Sequence, residues 1–138
     1  MNHRMILGLF ALLLFSFTNP QPVGEPTSKV LFLVFEGSDW CSNCMRLEKN
    51  VLSDARFVEF LESHGIDLQK VDFPQRRKLS KEQRKENEAL AEKYDFQGSF
   101  PTLILSRSDT LLYEQMTYQN QSTEEMMSEI ESKLQSLR

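Results

Sequence analysis

The sequence predicts an α/β domain, a central four-stranded mixed β-sheet flanked by helices on both faces. Three observations predict it. Residues 29–35 (KVLFLVF) form an apolar run too short for a helix. Segments of helical apolar spacing then alternate with short strand patterns in the order strand, helix, strand, helix, hairpin, helix, the order of a β-α-β unit followed by β-β-α. With 138 residues, 40% of them hydrophobic, the chain can build one modest core and hardly two.

The first strand, 29–35, is apolar on both faces and bounded by Glu36-Gly37-Ser38, which marks a buried, central position. From Cys41 onward Met45, Leu47, Val51 and Leu52, then Phe57, Val58, Phe60 and Leu61, follow helical spacing. The pattern breaks at Ser53-Asp54, where either residue can cap a second helix. Gly65 is the expected residue just past its end. Residues 66–73 (IDLQKVDF) alternate apolar and polar, which predicts a second strand stopped by Pro74. Ser80 and Gln83 form a capping box opening a polar helix to about Tyr94. Residues 100–105 and 110–116 flank Ser106-Arg107-Ser108-Asp109 and predict an antiparallel hairpin with a four-residue loop. A second capping box, Ser122 with Glu125, opens a last helix whose Met126, Met127, Ile130, Leu134 and Leu137 share a face. Methionines so placed read as core filler rather than a cofactor box.

A net charge of −4 and a pI near 5.2 leave no global basic field, which argues against nucleic acid as a partner. The one basic cluster, Arg76, Arg77, Lys78, Lys81, Arg84 and Lys85, is interleaved with Glu82, Glu86 and Glu88 and reads as a solvated loop and helix face. At the start of the chain Arg4 precedes an uninterrupted apolar or small stretch, 5–17, and a polar, proline-containing break. That is the shape of a secretory signal peptide over 1–18, shorter than the roughly 20 residues a membrane span needs. The alternative is an uncleaved signal anchor. Residues 19–28, with Pro20, Pro22, Pro26 and Gly24, suit a flexible leader into a domain over 29–138. The expectation is an exported protein, periplasmic in a two-membrane cell, monomeric and without stable membrane insertion once the signal is removed.

The only two cysteines, Cys41 and Cys44, stand two residues apart. They are a redox centre, half of a zinc site, or a structural staple. Structural zinc takes four ligands, and beyond this pair the domain offers only His64, so a zinc site would need a second chain or acidic ligands. A staple across two intervening residues removes little unfolded-state entropy. The redox reading has a mechanism. A cysteine at a strand-to-helix turn meets first-turn N–H groups that favour thiolate, and a second cysteine one turn on can attack a mixed disulfide formed at the first. Neither a metal nor any other cofactor is expected. Glu48 follows Cys44 by four residues and Cys41 by seven, so a continuous helix puts all three on one face. There it exchanges protons with Cys44 or raises thiol pKa values; a solvent-facing glutamate is the plain alternative. Trp40 shields the dithiol or packs on it.

With WCSNC (40–44) after a buried strand and FPT (100–102) at a later strand start, residues 29–137 resemble a thioredoxin-fold protein. The resemblance implies a redox disulfide between Cys41 and Cys44, a cis bond at Pro101, and binding of the partner's extended backbone by Phe100 and Pro101 beside Trp40. The match of Trp40, Cys41, Cys44, Glu48, Lys49, Ser53 and Asp54 to a WC-x-x-C-x-x-x-E-K pattern with a later Ser-Asp is similar to exported thioredoxin-like proteins. It is similar also to the C-terminal periplasmic domain of the membrane thiol-disulfide interchange reductase. The likeness implies a disulfide reductase with Cys41 attacking, Cys44 resolving and Glu48 handling a proton. Its substrates would be protein thiols and disulfides, and its upstream electron donor a membrane thiol-disulfide reductase. The competing class is a non-catalytic binding module or a metal- or haem-protein assembly factor that docks through the dithiol.

Three departures qualify the likeness. The buried acid common six residues before the first cysteine is replaced by Phe35, with Glu36 expected on the other face. Ser42-Asn43 stands between the cysteines, without the histidine of strongly oxidising relatives. One residue more than in the common G-x-P-T form separates Gly98 from Pro101.

Overall fold

The computed structural model describes residues 29–137. The expected signal peptide and leader, 1–28, lie outside the described residues. The elements are β1 (Val30–Glu36), α1 (Ser42–Leu47), a π-helical turn (Glu48–Leu52), α2 (Ala55–Ser63), β2 (Ile66–Asp72), α3 (Lys81–Lys93), β3 (Thr102–Arg107), β4 (Tyr113–Thr117) and α4 (Thr123–Ser136). The sheet order is β2-β1-β3-β4, with β1 parallel to β2 and antiparallel to β3, and β4 antiparallel to β3.

β1 is central because its sequence can be buried on both sides. Phe32 and Val34 face a core layer built with Leu47 and Val51 before α2, Phe57 and Leu61 of α2, and Met126 and Ile130 of α4. Leu33 and Phe35 face the opposite layer, with Val71, Ile104, Tyr94 and partly buried residues of α3. Helices therefore cover both faces, and the methionine at 126 is fully buried core.

Both expected capping boxes are present, at Ser80 with Gln83 and at Ser122 with Glu125. Asp54 caps α2 by accepting the Arg56 backbone N–H at 2.9 Å, and Gly65 follows that helix at φ 63°. The π-helical turn inserts one residue into the helical repeat, which lets the consecutive Val51 and Leu52 both reach the core.

The hairpin differs from expectation. β3 runs on to Arg107, and the connection spans 108–112, not 106–109. Ser106 and Arg107 pair with Leu31 and Val30 of β1, so ladder bonds to the central strand outweigh the local turn preference of Ser-Arg-Ser-Asp. Leu111 and Leu112, read as strand residues, stand exposed in the loop.

Candidate functional site

The turn leaving β1 sets the site. Gly37 C=O accepts the N–H of Trp40 at 3.2 Å and of Cys41 at 2.9 Å, which curls the chain back and starts α1 at the end of the central strand. Cys41 is the N-cap, in extended backbone, and its Sγ accepts the Cys44 N–H at 3.2 Å. Cys41 and Cys44 are disulfide-bonded, with Cα atoms 5.3 Å apart. Cys41 is 7% exposed and Cys44 1%, so an incoming sulfur reaches Cys41 first. Between them Ser42 and Asn43 face solvent, Asn43 tied to Arg46.

Trp40 stands half-buried beside the disulfide. Its indole N–H donates to Phe73 C=O at 2.9 Å, and its ring meets Phe100 edge-on at 5.2 Å. The Phe100–Pro101 bond is cis, and Pro101 is buried where β3 begins. The residue before the first cysteine and the residue before the proline are thus in contact across the fold.

On the other side of Cys44 lies a cavity of about 330 Å³, lined by Cys44, Met45, Glu36, Glu48, Lys49 and Lys70, among others. Glu48 is paired with Lys70 and accepts the Ser53 hydroxyl at 3.2 Å. It lines the cavity as one half of an ion pair, at the start of the π-helical turn rather than on a continuous α-helix with the cysteines. Ser53 and Asp54, the distal part of the motif, hold structure: Ser53 steadies Glu48, and Asp54 caps α2 and binds Thr123 at 2.9 Å.

Glu36 corrects the sequence reading. It ends β1, shares the face of Phe32 and Val34, and is 5% exposed, on the dithiol side of the sheet. Phe35 points into the opposite layer among Phe73, Tyr94 and Phe96. Burial pushes the Glu36 carboxyl above its ordinary range; Lys70 opposes this, while Asp72 and Glu48 add to it. The missing acid is therefore present one position later in the chain. Strand alternation from Phe32 and Val34 assigns Glu36 its face, but which face carries α1 is a tertiary fact.

Two further carboxylates fasten the loop. Asp72, beside Glu36 in the parallel register, accepts the Ser38 N–H at 2.8 Å and the Ser38 hydroxyl at 2.7 Å, and pairs with Arg77. Asp39 accepts the N–H groups of Gln75 and Arg76 at 2.9 Å and of Arg77 at 3.0 Å. Desolvation raises its pKa, but these three N–H donors and the Arg76 charge outweigh that and hold it low. Sequence reasoning passes over both residues, since Ser38 lies 34 positions from Asp72 and the 75–77 backbone 36–38 positions from Asp39.

A β2-β1-β3-β4 sheet with a C-x-x-C disulfide opening the helix after its central strand defines a thioredoxin-fold protein of the dithiol class. The chain is similar to Dsb proteins. The chain is 37% identical over 76 residues to the disulfide bond reductase DsbH of Chlamydia pneumoniae, covering 55% of this chain and 45% of that protein. It is 25% identical over 92 residues to the thioredoxin-related protein DsbJ of the same organism, covering 67% and 26%. The chain thus spans less than half the length of either curated relative. Among solved structures it is similar to a DsbH oxidoreductase, with a TM-score of 0.70 and 29% identity over 80% of this chain and 75% of that one. It shares its fold with a thioredoxin from Thermus thermophilus, at a TM-score of 0.50 and 20% identity over 75% and 72%. No family model matches.

Proposed function

We propose that the chain is an exported, periplasmic thiol-disulfide oxidoreductase working mainly as a reductase of protein disulfides. The observation that carries this is the pairing of a more exposed Cys41 at a helix N-cap with a buried Cys44 beside the carboxylates of Glu36 and Glu48. In the reduced protein the Cys41 thiolate attacks one sulfur of the client disulfide. A mixed disulfide forms at Cys41 and the client's other sulfur leaves as thiolate, taking a proton from water. Cys44 then gives its proton to Glu36, attacks Cys41 Sγ and expels the second client thiolate. Two electrons have passed to the client, and Cys41–Cys44 is again a disulfide. Glu48 holds Lys70 at the mouth of this cavity, and the Lys70 charge tempers the rise of the Glu36 pKa. Trp40, Phe100 and Pro101 form the wall along which the client backbone lies.

Two points support the direction. No histidine stands between the cysteines to stabilise the thiolate and make the disulfide strongly oxidising. The relative DsbH is named a disulfide bond reductase. Turnover then requires an external dithiol donor, for which a membrane thiol-disulfide reductase is the proposed source, since exported space lacks cytosolic reductant. Among the described residues no helix is long and apolar enough to cross a membrane.

Insulin reduction driven by dithiothreitol tests the proposal. The wild-type chain should accelerate precipitation of the insulin B chain and Cys41→Ser should abolish the acceleration. Wild-type protein no faster than that variant overturns the enzymatic reading.

A further inference from the structure

The segment joining β2 to α3 is the chemical opposite of the rest of the chain. Residues 75–85 carry six cations and one carboxylate within a protein of net charge −4. All six, Arg76, Arg77, Lys78, Lys81, Arg84 and Lys85, are exposed. Arg77 pairs with Asp72; Lys78, Lys81, Arg84 and Lys85 make no salt bridge among the described residues. Glu82, Glu86 and Glu88 offset the six cations only in part, and none of the three forms a salt bridge with them among the described residues.

The cluster rims a cleft of about 380 Å³ whose apolar lining is Phe73, Pro74 and Leu79 and whose polar lining is three cations, Arg77, Lys78 and Arg84, with Asn87 and one carboxylate, Glu88. The cleft is built into the dithiol loop. Phe73 accepts the Trp40 indole N–H, and its ring lies 5.9 Å from Phe100, which touches Trp40. Asp39, two residues before Cys41, holds the backbone at 75–77 by three hydrogen bonds. A ligand seated there is held in fixed register with Cys41.

We propose that this cleft is a docking subsite for an acidic stretch of the client protein, flanking its disulfide, with Asp or Glu side chains against Lys78 and Arg84 and an apolar side chain on Phe73 and Leu79. The inference rests on the reductase reading and adds a substrate class to it. Charge complementarity selects the occupant. A concave site with an apolar floor suits an extended peptide, whereas a lipid surface would call for apolar side chains projecting from the basic face.

The test compares two cystine peptides of equal length, one flanked by Asp, Glu and Leu, the other by Ser and Gln. With the full chain, kcat/KM for the acidic peptide should be about fivefold to tenfold higher, carried by KM and fading at high salt. The double variant K78E/R84E should lose or invert the preference while reducing the small, uncharged hydroxyethyl disulfide at the wild-type rate. Fluorescence anisotropy with the acidic peptide carrying serine for cysteine reads docking without chemistry, and the double variant should weaken it by about fivefold. Equal kcat/KM for the two peptides in wild-type protein, or anisotropy unchanged by the double variant, overturns the subsite. So does a patch that binds anionic phosphatidylglycerol vesicles in preference to the peptide. Failure to reduce hydroxyethyl disulfide would overturn the reductase reading instead, and anisotropy would still decide the docking.

Discussion

Gly37 lies beneath the indole of Trp40, so close that a Cβ on Gly37 would stand 2.4 Å from both Cε2 and Nε1 of the ring. A side chain at 37 and the indole in its present place exclude each other. Gly37→Ala should tilt the ring away, break its hydrogen bond to Phe73 and part it from Phe100. The expected cost is about 1–3 kcal/mol, as for other overpacked sites. Trp40 is the only tryptophan, so its fluorescence reports the ring directly. A red-shifted spectrum with a raised KM for protein substrates is expected; an unchanged spectrum would contradict the packing.

Glu36→Gln separates chemistry from stability. The Glu36 carboxyl is raised above its ordinary 4.5 by burial, so the folded state holds its proton more tightly than the unfolded state does. Between 4.5 and the raised value the folded form binds more protons, and stability falls as pH rises through that window. Above it the ionised carboxylate is a standing cost, which Gln removes. The variant should match wild type below pH 4.5 and exceed it at neutral pH in urea melts. Resolution of the mixed disulfide by Cys44 should slow by roughly a hundredfold, the lower range for loss of a general base. Equal pH profiles of stability in the two proteins would refute the buried, raised carboxyl.

Methionine serves two ends in this chain. Met126 is 0% exposed in the layer beneath β1 and Met45 is 48% exposed beside Cys44. Met126→Ala should cost about 2–5 kcal/mol through the void it leaves, whereas Met45→Ala should change stability by no more than about 0.5 kcal/mol. Chemical denaturation of the two variants checks both, and a mild effect at 126 would count against its place in the core.

The parts of this fold that are legible in the sequence are those that rest on local chemistry. Ser80-Gln83 and Ser122-Glu125 satisfy helix N-termini within three residues of themselves, so both helix starts can be read. The buried run of β1 and the Cys-x-x-Cys spacing are equally local. The β3–β4 turn is misplaced by local reading because Ser106 and Arg107 answer to Leu31 and Val30 on a strand seventy-odd residues earlier. Glu36 falls on the wrong side for a related reason: alternation gives a residue its face, but only the packed helices say which face is the site. Asp39 and Asp72 look like ordinary loop and strand-end acids until the fold brings 75–77 and Ser38 to them.

The disulfide is mounted on a frame that contains no sulfur. Asp39 to 75–77, Ser38 to Asp72 and Trp40 to Phe73 are all joined through nitrogen and oxygen. Breaking the Cys41–Cys44 bond removes neither a donor nor an acceptor from any of these struts. The contacts that orient Trp40 and the 75–77 backbone are thus chemically independent of the bond that is exchanged. Which way electrons run then rests on the thiol chemistry of the pair itself, with Ser42-Asn43 between the cysteines, set against that of the donor or client that meets it.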